Sequence, residues 1–314
     1  MFFFDRIKPK IKALPGITLS IDIFPGTCSV FGDPHFKTFD GKIFDFQGRC
    51  KHVMVSDKCA GSSSASENIH IEVNSMSCGS QDVTCAKEIV AKIYGTTFVL
   101  KKGAKKAEIV QSNNTESDYQ VFNFAGSYVH IVTRHGLSLM WDNGTRLYIT
   151  AESHLAGKLC GLCGNFDGSE ANDFVTYQGD LTGSSVMFGN SWRSNDFCPL
   201  AKEVSDTCKA RPHRLDPSKR ECSIIKSDKF KACHSLVNPI PYYDRCVFDV
   251  CGCDQVGDCD CVCDAVAAYQ KECQDEGVFV EWRKGHNICG KYPLIYCCLR
   301  VSYLYECIFM RVSL

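Results

Sequence analysis

Short apolar runs broken by turn residues fill the first two thirds of the chain. They lie at 30–31, 36–39, 43–46, 52–55, 69–73, 96–100, 128–133, 137–141 and 146–150, with Gly32, Asp40-Gly41, Gly48 and Asn143-Gly144 between some of them. Runs this short, rich in Val, Ile and Phe and punctuated by Gly and Asp, predict strands of antiparallel sheets stacked as a sandwich. The Gly/Ser-rich stretch at 61–66 predicts a loop. Beyond residue 199 the pattern changes. DAVAAYQKEC at 264–273 sets Ala265, Ala268, Tyr269 and Cys273 on one helical face, and Ser227 is placed to cap a second helix opening at 228. The fold class expected is a mainly β sandwich followed by a small disulfide-rich α-helical module.

Cysteine usage adds the compartment. The chain has 22 cysteines in 314 residues: eight between 28 and 198, eleven between 208 and 289, and three in the last 24 residues. A reducing cytosol would leave these as thiols. An oxidising compartment closes them, each bridge contributing about 2–4 kcal/mol. Extracellular, secreted placement follows as an expectation. Met1 to Phe4 is too short an apolar core for an export signal before Asp5 and Arg6, so the chain is expected to be a fragment or an incomplete gene model. The formal net charge of −1 gives no basic face for nucleic acid, and no run of 18 apolar residues supports membrane insertion. Residues 291–314 break pattern again. Gly290-Lys291-Tyr292 is what a splice-donor string would encode, and the tail is expected to be translated intron.

Two segments carry candidate chemistry, GDPHFKTFDG at 32–41 and CGLCGNFDGSEANDF at 160–174. Asn165, Asp167, Asn172 and Asp173 offer side-chain oxygens within nine residues, the hard donors that Ca²⁺ takes. The spacing is not that of an EF-hand. Turn residues whose side chains cap their own backbone are the other use of such a cluster, and spacing alone leaves both open. Cys160-Gly161-Leu162-Cys163 has the C-x-x-C spacing of redox motifs, but it leads into a turn-rich loop rather than a helix, which favours structural bridges over thiol-disulfide exchange. Asp33-Pro34 is an acid-labile bond type, with an intact strand favoured over cleavage. Asn113 and Asn143 begin N-glycosylation acceptor triplets. No catalytic constellation is present, and no enzyme activity is expected.

The two segments, with FGNSWR at 188–193, resemble the von Willebrand factor type D domain over residues 27–198. The string from Cys233 to Cys273, closed by EWRKGHNIC, resembles the C8 domain, placed at 199–290. Residues 1–26 are left as an uncertain N-terminal segment. The resemblance implies one Ca²⁺ held by Asp40, Asn165, Asp167, Asn172, Asp173 and the Ser169 carbonyl. It implies the pairs Cys28–Cys163, Cys50–Cys198, Cys59–Cys160 and Cys78–Cys85, then Cys208–Cys251, Cys222–Cys246, Cys233–Cys273 and Cys263–Cys289. Cys253, Cys259 and Cys261 then remain, and an interchain bond is expected there, with Cys259 and Cys261 as its preferred location. The expected function is a calcium-stabilised structural or adhesive module of disulfide-linked multimers, its partners other copies of the chain or extracellular matrix and secreted proteins. An extracellular growth-factor-binding regulator is the alternative.

Overall fold

Each of the nine apolar runs overlaps a strand, with Thr38-Phe39, Phe46 and Arg146 falling just outside theirs. The computed structural model describes residues 24–61, 66–78, 83–112, 118–124, 128–203, 206–253, 261–283, 289, 297–301 and 304–308. One antiparallel sheet has the order β3 (Ile43–Asp45), β2 (His35–Lys37), β1 (Gly26–Phe31), β12 (Leu147–Ala151), β11 (Leu137–Trp141), β10 (Tyr128–Thr133), β9 (Tyr119–Phe124). The other is a meander of β4 (Lys51–Ser56), β5 (Ile69–Ser77), β6 (Thr84–Ile93), β7 (Thr96–Lys101) and β8 (Glu108–Ser112).

The two-residue period builds the core. Ile69, Ile71 and Val73 of β5, Phe98 and Leu100 of β7, Val129 and Ile131 of β10, and Leu137, Leu139 and Trp141 of β11 turn inward to one buried cluster. β6, β8 and β9 lie outside the expected runs. In β6 the central Lys87-Glu88 pair and two alanines weaken the strand pattern, yet pairing with β5 and β7 on both sides holds it extended.

Helix α1 (Ser185–Ser191) packs on the sandwich core through Phe188, and the helical part contains α2 (Thr207–Ala210), α3 (Pro212–Cys222), α4 (Ile240–Gly252) and α5 (Cys261–Asp275). Ser184 caps α1 by accepting from the Met187 N–H at 3.2 Å. The expected helix at 264–273 is the body of α5. The helix expected after Ser227 is only a 3₁₀ turn at Asp228–Phe230, and Ser227 makes no side-chain cap bond there. Its hydroxyl donates back to the Ile224 carbonyl at 2.7 Å instead, ending the preceding turn.

Helices α4 and α5 lie on the outer face of β1, β2 and β12. That cover explains why β1 is buried on both faces: Cys28 and Val30 enter the sandwich core, while Phe31 enters the helical core. In the tail, β13 (Cys297–Val301) and β14 (Leu304–Ile308) form an antiparallel pair. Residues 62–65 of the expected loop and Asn113 lie outside the described residues.

Candidate functional site

The turn after β2 and the loop at 164–173 meet at one end of the sandwich. Asp40 reaches across, its carboxylate accepting from the Gly168 N–H at 2.9 Å and the Asp167 N–H at 3.1 Å. Asp167 accepts from the Ser169 N–H at 2.9 Å and from the side-chain amides of Asn172 at 2.7 Å and Asn165 at 3.1 Å. Thr38 donates to Asp173 Oδ2 at 2.6 Å. All six residues expected around a cation therefore come together, although Asp40 and Asp167 also cap backbone as the second reading of the loop required.

A donor set of this kind fits a hard cation on one further observation. Asn165 Oδ1, Asn172 Oδ1 and Asp173 Oδ1 are buried without a hydrogen-bond partner, and enclosed oxygens left so are expensive unless something positive faces them. Asp173 says the same: burial pushes its pKa up to about 7 and the Asp40 charge adds to this, against the lowering by Thr38. Close approach of the loop depends on Gly164, whose φ is +76° and where a Cβ would lie 2.0 Å from Asp173 Oδ1. Asp33, Cys78 and Cys85 also converge, but both sulfurs are consumed by the Cys78–Cys85 bridge and offer no thiolate.

The C-x-x-C cysteines are tied to different partners, Cys163 to Cys28 in β1 and Cys160 to Cys59 after β4. Cys50–Cys198 and Cys78–Cys85 complete the sandwich. In the helical module the bridges are Cys208–Cys251, Cys222–Cys246, Cys233–Cys273 and Cys263–Cys289. The expectation for the remaining three cysteines needs correction. Cys253 and Cys261 are bonded to each other, their Cα atoms 6.5 Å apart, because the end of α4 and the start of α5 are brought side by side by helix packing. Neither is then open to another chain, and Cys259 lies outside the described residues.

Asp33-Pro34 sits in the tight turn between β1 and β2, with Asp33 buried and its carbonyl accepting from the Gln47 side-chain amide. Asn143 stands in a left-handed turn (φ 62°). Thr145 of the same acceptor triplet is buried, and its hydroxyl donates to Asp264 of α5 at 2.8 Å, so the triplet is engaged in packing the helices.

That contact belongs to a polar junction that sequence reading did not anticipate. Asp264, Glu272 and Asp249 of the helices face Arg146, Lys37 and His35 of the sheet. Arg245 of α4 returns the pairing to Asp45 of β3, at 2.7 Å. Phe31 stacks on Tyr242 with ring centroids 5.8 Å apart. The one available signal was an acid at an apolar helical position: Asp249 falls on the same face as Tyr242, Cys246 and Val250, where a charge demands a partner.

Sandwich, bridged loop and helical cap define a domain pair, and comparison with known proteins identifies it. The von Willebrand factor type D domain model matches residues 28–180, and the C8 domain model matches residues 221–290. The chain belongs to the family that carries these two domains in this order. It is similar to human Mucin-5AC, 38% identical over 257 residues, and to human Mucin-2, 40% identical over 258 residues; each alignment covers 82% of this chain. It is also similar to SCO-spondin of Gallus gallus, 37% identical over 273 residues and 84% of this chain. The chain spans only 4% of Mucin-5AC and 5% of each of the other two. Among the described residues, no helix is long and apolar enough to cross a membrane.

Proposed function

We propose that the chain is a structural module of a secreted, disulfide-linked multimer, fastened internally by one Ca²⁺ and without catalytic activity. The similarity to mucins and SCO-spondin supports the class, and the nine bridges closed among the described residues support an oxidising, extracellular compartment. The observation carrying the calcium reading is the convergence of three unpartnered buried oxygens, Asn165 Oδ1, Asn172 Oδ1 and Asp173 Oδ1, on one loop. Asp40, Asp167 and the Ser169 carbonyl complete the set. The ion would join the loop to the turn after β2, a fastening role, with neutralisation of Asp173 as its chemistry.

Calorimetry with and without chelator tests this. Calcium at a hundredfold excess over its dissociation constant adds about 2.7 kcal/mol, or about 5–10 °C in Tm for a domain pair of this size. Asp173→Asn abolishes that gain while leaving the metal-free protein as stable or more so, because it removes a buried charge with no counter-ion. A calcium-independent Tm in the native chain sinks the reading.

Multimer formation is assigned to Cys259. Ten of the eleven cysteines between 208 and 289 are bonded to one another, which leaves Cys259 without a partner inside that stretch and supports an intermolecular bond there. On non-reducing electrophoresis Cys259→Ser loses the covalent dimer band. A dimer that survives the substitution refutes the assignment.

A further inference from the structure

His35 is enclosed at the junction, 1% exposed, and neither cation binding nor cross-linking uses it. Its Nδ1 lies 2.7 Å from Asp45 Oδ1 and its Nε2 lies 2.6 Å from Asp249 Oδ1. With both carboxylates ionised, only an imidazolium donates from both nitrogens; a neutral ring would set a bare lone pair against one of them. The groups facing it are Asp45 from β3, Asp249 from α4, and the rings of Phe31 from β1 and Phe248 from α4, with Arg245 of α4 bonded to the far side of Asp45. We propose that His35 is a protonation-dependent staple that makes the sandwich and the helical module open as one unit, and that its grip loosens as the pH rises above neutrality.

Packing carries the first half of this. Phe31 is part of the helical module's buried cluster, and Ile43 of β3 packs against it. Lifting the helices away would uncover both, together with Asp249. The approach is close: Gly32 has φ +61°, and a Cβ there would stand 2.4 Å from Asp249 Oδ2. The glycine that opens the GDPH string is thus required by a helix more than two hundred residues away in sequence.

Charge carries the second half. Burial alone favours the neutral ring, but Asp249 and then Asp45 overcome it and hold the His35 pKa at about 9. A folded pKa above the ordinary 6.5 means that the staple's contribution is complete below about pH 6.5 and is lost as pH climbs through about 9.

Two measurements on the full chain test the proposal. In calorimetry from about pH 6 to about pH 9.5, the native chain shows one transition for both parts, with a Tm that falls across the upper half of the range. His35→Gln lowers the Tm at neutral pH and flattens that fall. In NMR with labelled histidine, the His35 ring stays protonated beyond pH 8, and Asp249→Asn moves its midpoint down by about one pH unit or more. Separate transitions for sandwich and helices, an unchanged pH slope in His35→Gln, or a native His35 midpoint near 6.5 would overturn it. Should His35→Gln not fold, the native and Asp249→Asn titrations decide alone.

Discussion

Gly161 and Gly164 show why the CGLCGN string is spelled as it is. Gly161 adopts φ +118°, and a Cβ there would press to 2.4 Å from the Met54 carbonyl oxygen; Gly164 faces Asp173 in the same way. Both positions combine a left-handed backbone with contact that leaves no room for a side chain. Gly164→Ala is therefore expected to destabilise the sandwich by at least about 1–2 kcal/mol from the backbone alone. Urea unfolding measures this, and since the added methyl displaces Asp173, any calcium dependence of the midpoint under the proposed function shrinks with it. Equal midpoints for variant and native chain would dismiss the argument. The glycines and the oxygen-bearing residues of this loop were legible as a cluster. Which of those oxygens stay unpartnered was not, because partnering depends on Thr38 and Asp40, more than a hundred residues earlier.

Elements were legible in proportion to how locally they are determined. Strands with a clean two-residue period, such as β5, β10 and β11, follow from side-chain alternation. β6 does not, because its extended form is imposed by two neighbours. The failed helix after Ser227 is the converse: a capping residue without enough apolar periodicity behind it yields one 3₁₀ turn. Bridges between elements differ in weight for a topological reason. Cys50–Cys198 closes a separation of 148 residues and Cys78–Cys85 one of 7. Loop-closure entropy makes the long bridge the stronger by about 2–3 kcal/mol. Replacing each pair by serine or alanine and comparing thermal unfolding checks this; an equal loss from the two pairs would contradict the entropic ordering.

At the scale of the whole molecule the helical module is less a separate domain than a cap whose core includes Phe31 of the sandwich. Three acids on the helices meet three basic groups on the sheet side, and the junction grips most firmly while His35 keeps its proton. Below neutrality the His35 contribution is at or near its full value, so acidification from pH 7.4 toward 6 does not release it. Two other histidines work the opposite way: burial holds His52 and His130 near pKa 4, below the ordinary 6.5, so each costs stability as pH falls through about 6.5, and the staple is read cleanly only above neutrality. Composition had already raised the expectation of a disulfide-rich chain from an oxidising compartment, and two specific strings pointed to the family. Alternation and turn chemistry are short-range properties, so strands, loop glycines and the oxygen cluster could be read along the chain. Long-range contact settled the rest. Cys253 bonds Cys261 because α4 and α5 pack side by side, Thr145 is spent on Asp264, and His35 has its proton because Asp249 arrives from a helix over two hundred residues away.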